Sequence, residues 1–314
     1  MVLNAFPRMT AEILRRNDIS TATGPHKGKS LQLLRIYLSY SPLQFAIIPF
    51  KTLDFKSALI TGGGGGIGLA FAEYFVAQGK SVIICGRTES KLQDASKQLH
   101  DCPYYVLDTG NISAIPAFIK KITGAHPELD CLINNAGVQR PLNVNEMDVE
   151  EFTQKADQEI AINIQGPMHL AVGLLPHFRT KTGAVIMNVS SVLGFIPTSV
   201  INPVYNGTKA WVHFWSMNFR TQLEQAASSG GPTIRVIEIA PPSVGTDLHR
   251  ERKDPNDNKK DKNPSALSVQ EFMDDVVKAW KEDNDVIGAG PSQKVVERWY
   301  GEFGSDYDKA AGKK

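Results

Sequence analysis

The run Thr61-Gly62-Gly63-Gly64-Gly65-Gly66-Ile67-Gly68 constrains the fold of this chain more than any other segment. Before it stands Ser57-Ala58-Leu59-Ile60, a short apolar stretch that reads as a buried strand. After it comes Leu69-Ala70-Phe71-Ala72-Glu73-Tyr74-Phe75, of helical composition with an apolar stripe. A glycine run elsewhere would read as a flexible loop. Between a strand and a helix it becomes a turn whose backbone can approach a ligand, opening onto free N–H groups and a positive dipole. That arrangement suits a dinucleotide pyrophosphate. Gly62, Gly66 and Gly68 are expected to carry the turn, with Gly63, Gly64 and Gly65 adding only looseness.

The rest of the chain alternates strand and helix. Strand-like runs fall at 57–61, 81–85, 104–107, 131–134, 184–189, 234–239 and 285–288. Helical stretches lie between them at 91–99, 114–123, 150–162 with a continuation to 178, 205–227 and 274–281. The pattern predicts an α/β fold: one doubly wound parallel sheet with right-handed crossovers and helices on both faces. Ligands of such sheets bind beyond the carboxyl ends of the strands. The glycine turn, Asn134, Ser191 and Pro241 all follow strand ends, so they share one rim.

Tyr205 and Lys209 sit four apart in Tyr205-Asn206-Gly207-Thr208-Lys209. On a helix they share a face, so an ammonium would stand by the phenol and lower its pKa from the usual value of about 10. Alone, such a pair arises often by chance. Here it follows Asn134-Asn135-Ala136-Gly137, Asn163-Ile164-Gln165-Gly166 and Asn188-Val189-Ser190-Ser191 in that order. With the Gly-x-x-x-Gly-x-Gly spacing of the turn, this set resembles the short-chain dehydrogenase/reductase family over residues 53–290.

The resemblance implies a Rossmann fold and reversible hydride transfer between a nicotinamide cofactor and an alcohol or carbonyl. It assigns Tyr205 as proton donor, Lys209 to the nicotinamide ribose, Ser191 to the substrate oxygen and Asn163 to a water-mediated proton relay. Cofactor contacts are expected from Gly62, Gly66, Ile67, Gly68, Asn135, Ala136, Gly137, Tyr205, Lys209 and Thr246, and at the adenine from Asp108. The second strand ends in Gly86-Arg87-Thr88 rather than in an acidic residue. Arg87 and Thr88 therefore favour the 2′-phosphate of NADP(H) over NAD(H). Two details depart from the family pattern. Ser191 stands fourteen positions before Tyr205, one more than is common, with Ser190 adjacent; Ser191-Val192-Leu193-Gly194 matches the family's Ser-x-x-Gly. Pro241-Pro242-Ser243-Val244-Gly245-Thr246 has proline where the family usually has glycine, which removes an N–H and stiffens the loop.

Leu193, Phe195, Ile196, Val200, Ile201 and Trp211 suggest a pocket for a hydrophobic ketone or aldehyde. The polar stretch 247–268 is expected to be either a substrate lid or a solvated charged loop. Trp299, Tyr300 and Phe303 could pack on the sheet, shape the pocket or form a subunit contact. Formal net charge is +1, which gives no reason to expect a nucleic-acid partner. Cys85, Cys102 and Cys131 lack metal or redox spacing and fit a reducing compartment. Residues 1–52 match nothing in the family and are expected to form an extension before a domain at 53–314. The extension is basic, so a mitochondrial presequence is the alternative to a cytoplasmic protein. Its apolar part, 37–50, is too short to span a bilayer. The resemblance also implies a homodimer or homotetramer. The alternatives on the same fold are a catalytically silent NADP(H)-binding regulator and an isomerase or dehydratase using the same tyrosine.

Overall fold

The computed structural model describes residues 50–313. The expected extension and presequence lie outside the described residues, apart from 50–52. Phe50 packs over Gly183, 2.4 Å from where a side chain there would begin, and the Thr52 amide donates to Asp283 at 2.8 Å.

Seven strands form one sheet among the described residues: β1 (Ser57–Thr61), β2 (Ser81–Gly86), β3 (Tyr104–Val106), β4 (Cys131–Asn134), β5 (Gly183–Val189), β6 (Thr233–Ala240) and β7 (Val286–Gly288). Their order is β3-β2-β1-β4-β5-β6-β7 and every pair is parallel. The order reverses between β1 and β4, which is where the glycine turn and the Asn134 loop emerge side by side. The helices are α1 (Gly66–Ala77), α2 (Glu89–Gln98), α3 (Ile115–Ala125), α4 (Val149–Ile160), α5 (Gly166–Phe178), α6 (Pro203–Ser228), α7 (Val269–Lys281) and α8 (Pro291–Ala310).

Strand alternation divides the core in two. Ala58, Ile60, Ile84, Ile133, Met187 and Ile239 face a layer containing Phe71 and Phe75 of α1 and Phe272 and Trp280 of α7. Leu59, Ile83, Leu132, Ile186 and Val236 face Phe118, Leu174, Phe178 and Phe219 of α3, α5 and α6. Both faces are covered, so the strands read as continuous apolar runs.

Several strand ends differ from expectation by a residue, α8 was not among the expected helices, and two further helices differ. The helix expected from 150 to 178 is broken by a π turn at Ala161–Gln165 that holds Asn163. The helix expected at 274 begins at Val269, where Ser268 and Glu271 form a capping box. No helix among the described residues is long and apolar enough to cross a membrane.

Candidate active site

The glycine turn is built by close approach. Gly62 and Gly66 have φ of +68° and +55°, a region that favours glycine. A Cβ on Gly68 would stand 2.4 Å from Gly62 O, so helix and turn pack backbone to backbone. Gly63 does more than loosen the turn, contrary to expectation: its Cβ would meet Ile84 Cγ2 at 2.6 Å. Asn135 clamps the turn to the β4 loop, donating to Thr61 O at 2.9 Å and Gly62 O at 3.4 Å. Thr61 Oγ1 accepts from the amides of Asn135 and Ala136 at 3.0 and 2.9 Å. Gly68→Ala is expected to displace this junction, costing about 1–3 kcal/mol of stability and lowering nicotinamide-cofactor affinity several-fold. A melting curve and a fluorescence titration with NADPH measure the two effects.

One cavity of about 520 Å³ runs from this turn along the carboxyl rim of the sheet. Gly62, Gly66, Ile67, Arg87, Thr88, Asn135, Ala136, Gly137, Ser191, Tyr205, Lys209 and Thr246 all line it. Gly68 supports it from behind. Asp108 does not line it; its Oδ1 accepts the Gly110 amide at 3.0 Å. Asn163 is buried beside it and is occupied: Oδ1 accepts from Val138 N at 3.0 Å, and Nδ2 donates to Val138 O at 2.9 Å and Thr208 Oγ1 at 3.1 Å. That clamp fixes the β4 loop against α6.

Tyr205 and Lys209 lie one turn apart on α6, both buried, with Lys209 Nζ 5.5 Å from the centre of the Tyr205 ring. Nζ donates to Val189 O at 2.8 Å. Ser191 lies beside the phenol and eases its ionisation, as does the Arg252 charge, whereas Glu159 opposes it. The expected lowering of the Tyr205 pKa is reversed, because burial, with Glu159, outweighs Ser191 and Arg252 and pushes the phenol up. Burial also brings Lys209 down to about 8, against the opposing charges of Glu159 and Glu238. Ser190 is committed elsewhere, its Oγ donating to Glu238 Oε1 at 2.6 Å, so Ser191 is the serine whose hydroxyl faces Tyr205.

The expected greasy pocket is not where those residues lie. Of the six, only Leu193 lines the cavity. Phe195 packs on His213 and Trp299, Trp211 stacks on Trp215, and Val200 and Ile201 are exposed. Val138, Gln139, Thr198, Ser199, His249 and Arg252 take their place. The charged stretch after β6 is anchored over this end. Arg252 donates to Asn202 at 2.7 Å, Asp257 at 2.8 Å and Gln139 at 3.0 Å, while Asn258 donates to the carbonyls of Val244 and Thr246. Sequence reasoning read Arg252 as part of a charge run; its partners are spread over 139–257, so no local signal marked it.

Glu159 was missed too. It is fully buried in α4, and burial pushes its pKa up to about 8 against the nearby charges of Arg140 and Lys209. A carboxyl raised in the fold stays protonated where the unfolded chain ionises, so its contribution to stability is lost progressively from about 4.5 to about 8. Glu159→Gln is therefore expected to gain stability relative to wild type as pH rises through that window. Paired denaturation curves at the two ends measure it, and a constant difference would contradict it.

Comparison with known proteins gives a consistent result. The family model "short chain dehydrogenase" matches residues 56–257. The uncharacterized oxidoreductase DltE of Bacillus subtilis (strain 168) is 33% identical over 254 residues, 81% of this chain and 94% of its own length. The NADP-dependent 3-hydroxy acid dehydrogenase YdfG of Shigella flexneri is 31% identical over 224 residues, 69% of this chain and 86% of its own. Among solved structures, a short-chain dehydrogenase from Sphingobium yanoikuyae in complex with NADPH superposes with a TM-score of 0.67 at 24% identity, covering 82% of this chain and 95% of that one.

Proposed function

Because this chain belongs to the short chain dehydrogenase family, we propose that it transfers hydride between NADP(H) and the carbonyl or secondary alcohol carbon of a small molecule. The reading rests on one observation: the glycine turn, Arg87, Lys209, Tyr205 and Ser191 line a single cavity. The residues fit the cofactor. The glycine turn and the first amides of α1 suit a pyrophosphate, Arg87 and Thr88 a 2′-phosphate, Lys209 a ribose and Thr246 a carboxamide. When bound, the nicotinamide ring supplies or accepts the hydride.

The protein's own part is proton transfer. In reduction, Tyr205 gives its phenolic proton to the carbonyl oxygen as that oxygen gains charge. Ser191 donates a hydrogen bond to the same oxygen and orients it. The Lys209 ammonium stabilises the phenolate left behind. The phenol is protonated at neutral pH even at its ordinary pKa of about 10; burial raises it further, so the proton leaves only as the carbonyl oxygen gains charge. Oxidation needs the phenolate and is favoured as pH rises.

The polar rim of Gln139, Thr198, Ser199 and Arg252 favours a carbonyl compound with polar substituents over the hydrophobic ketone expected from sequence. A relative described as a 3-hydroxy acid dehydrogenase points the same way. Absorbance at 340 nm with NADPH across a panel of 3-keto acids, small polar ketones and hydrophobic ketones tests this. Hydrophobic ketones leading the panel would restore the greasy-pocket reading. Stoichiometric binding of NADPH with no turnover on any carbonyl or alcohol would favour the silent regulator.

A further inference from the structure

Behind the cavity lies a buried polar row that the proposed reaction does not use. Asn134, Asn188 and Glu238 are in register across β4, β5 and β6, on the sheet face covered by α6. Asn134 donates to Asn188 at 2.9 Å, and Asn188 donates to Ser216 on α6 at 3.0 Å. Glu238 is fully buried and takes two partners: Ser190 Oγ at 2.6 Å on one oxygen, and His213 Nδ1 at 2.9 Å on the other. His213 is also fully buried. Its Nε2 has no partner, and the rings of Phe195 and Trp299 stand 4.0 and 4.6 Å from its own. Nδ1–H therefore donates to Glu238.

Both anchors of Glu238 touch the candidate site through the backbone. Ser190 precedes Ser191 and follows Val189, whose carbonyl accepts Lys209 Nζ. His213 is one turn beyond Lys209, which is one turn beyond Tyr205. A buried carboxylate is costly unless its hydrogen bonds and charge are used, and an apolar pair would have packed this gap without that cost.

We propose that Glu238 is a positioning residue for the reaction. It locks the β5 end that carries Ser191 to the α6 turn just beyond Lys209, and it supplies negative charge beside the Lys209 ammonium. This rests on the hydride-transfer reading above. Lys209 is faced by Glu159 from α4 and Glu238 from β6. Glu238 is faced by Ser190 from the β5 end, Lys209 and His213 from α6, and Tyr300 from α8; Tyr300 in turn faces Arg220 and Tyr307. Removing the Glu238 charge leaves burial less opposed, so Lys209 loses its proton at lower pH.

The test is kcat/KM for carbonyl reduction against pH in wild type, Glu238→Gln and Ser190→Ala. Glu238→Gln keeps the side-chain shape and removes the charge, and its basic limb is expected at lower pH than that of wild type. Ser190→Ala cuts the tether and leaves the charge, so kcat is expected to fall several-fold with the basic limb in place. A basic limb unmoved in Glu238→Gln overturns the electrostatic role. If Glu238→Gln does not fold, Ser190→Ala decides: full kcat overturns the positioning role. A wild type that binds NADPH yet reduces no carbonyl overturns the hydride-transfer reading itself, and this role with it.

Discussion

Tyr205→Phe is expected to lower kcat by roughly 10²–10⁴-fold, the range for losing a positioned acid, while NADPH still binds. The substitution removes one oxygen from a ring that is 5% exposed and leaves the packing of α6 intact. Ser191 is no substitute. Its hydroxyl can orient the substrate oxygen, but a serine hydroxyl is a far weaker acid than a phenol. Single-turnover kinetics separate the chemical step from binding. Activity within a few-fold of wild type would place the proton donor elsewhere.

Arg87→Glu has the second largest expected effect. Arg87 is exposed at the end of β2 and lines the cavity. A guanidinium–phosphate contact is worth roughly 1.5–3 kcal/mol, and a carboxylate in its place adds repulsion. We therefore expect kcat/KM with NADPH to fall roughly 100-fold, with NADH retained or improved because Glu can accept from a ribose 2′-hydroxyl. The site is solvent-exposed, so the effect should shrink with salt, and both cofactors must be compared at one ionic strength. Equal losses with the two cofactors would show that Arg87 does not select the phosphate.

The strands were legible because parallel strands buried on both faces read as apolar runs, and the misplaced ends are out by a residue. Arg235 on β6, for example, is paired with Asp283 and Asp285, so Asp285 lies outside β7. The π turn was not legible: 161–165 contains neither glycine nor proline to mark a break. In the site, the glycine turn, Asn135, Ser191 and Thr246 follow strand ends and Tyr205 sits one helical turn from Lys209, so local spacing located them. Glu159, Glu238, His213 and Arg252 act across elements far apart in sequence, and no spacing signals them. The Tyr205 pKa went the other way because spacing shows the neighbouring lysine and not the burial that raises the phenol. Hydrophobicity likewise marked Phe195 and Trp211 without showing which way they turn.

The most direct test of hydride transfer uses NADPH deuterated at the nicotinamide C4, on each face separately, with the best carbonyl from the panel. The product alcohol is then examined by mass spectrometry. Deuterium bound to the former carbonyl carbon, from one face only, is the predicted result. NADPH oxidised with no deuterium on carbon, or carbonyl consumed while NADPH stays intact, would contradict it.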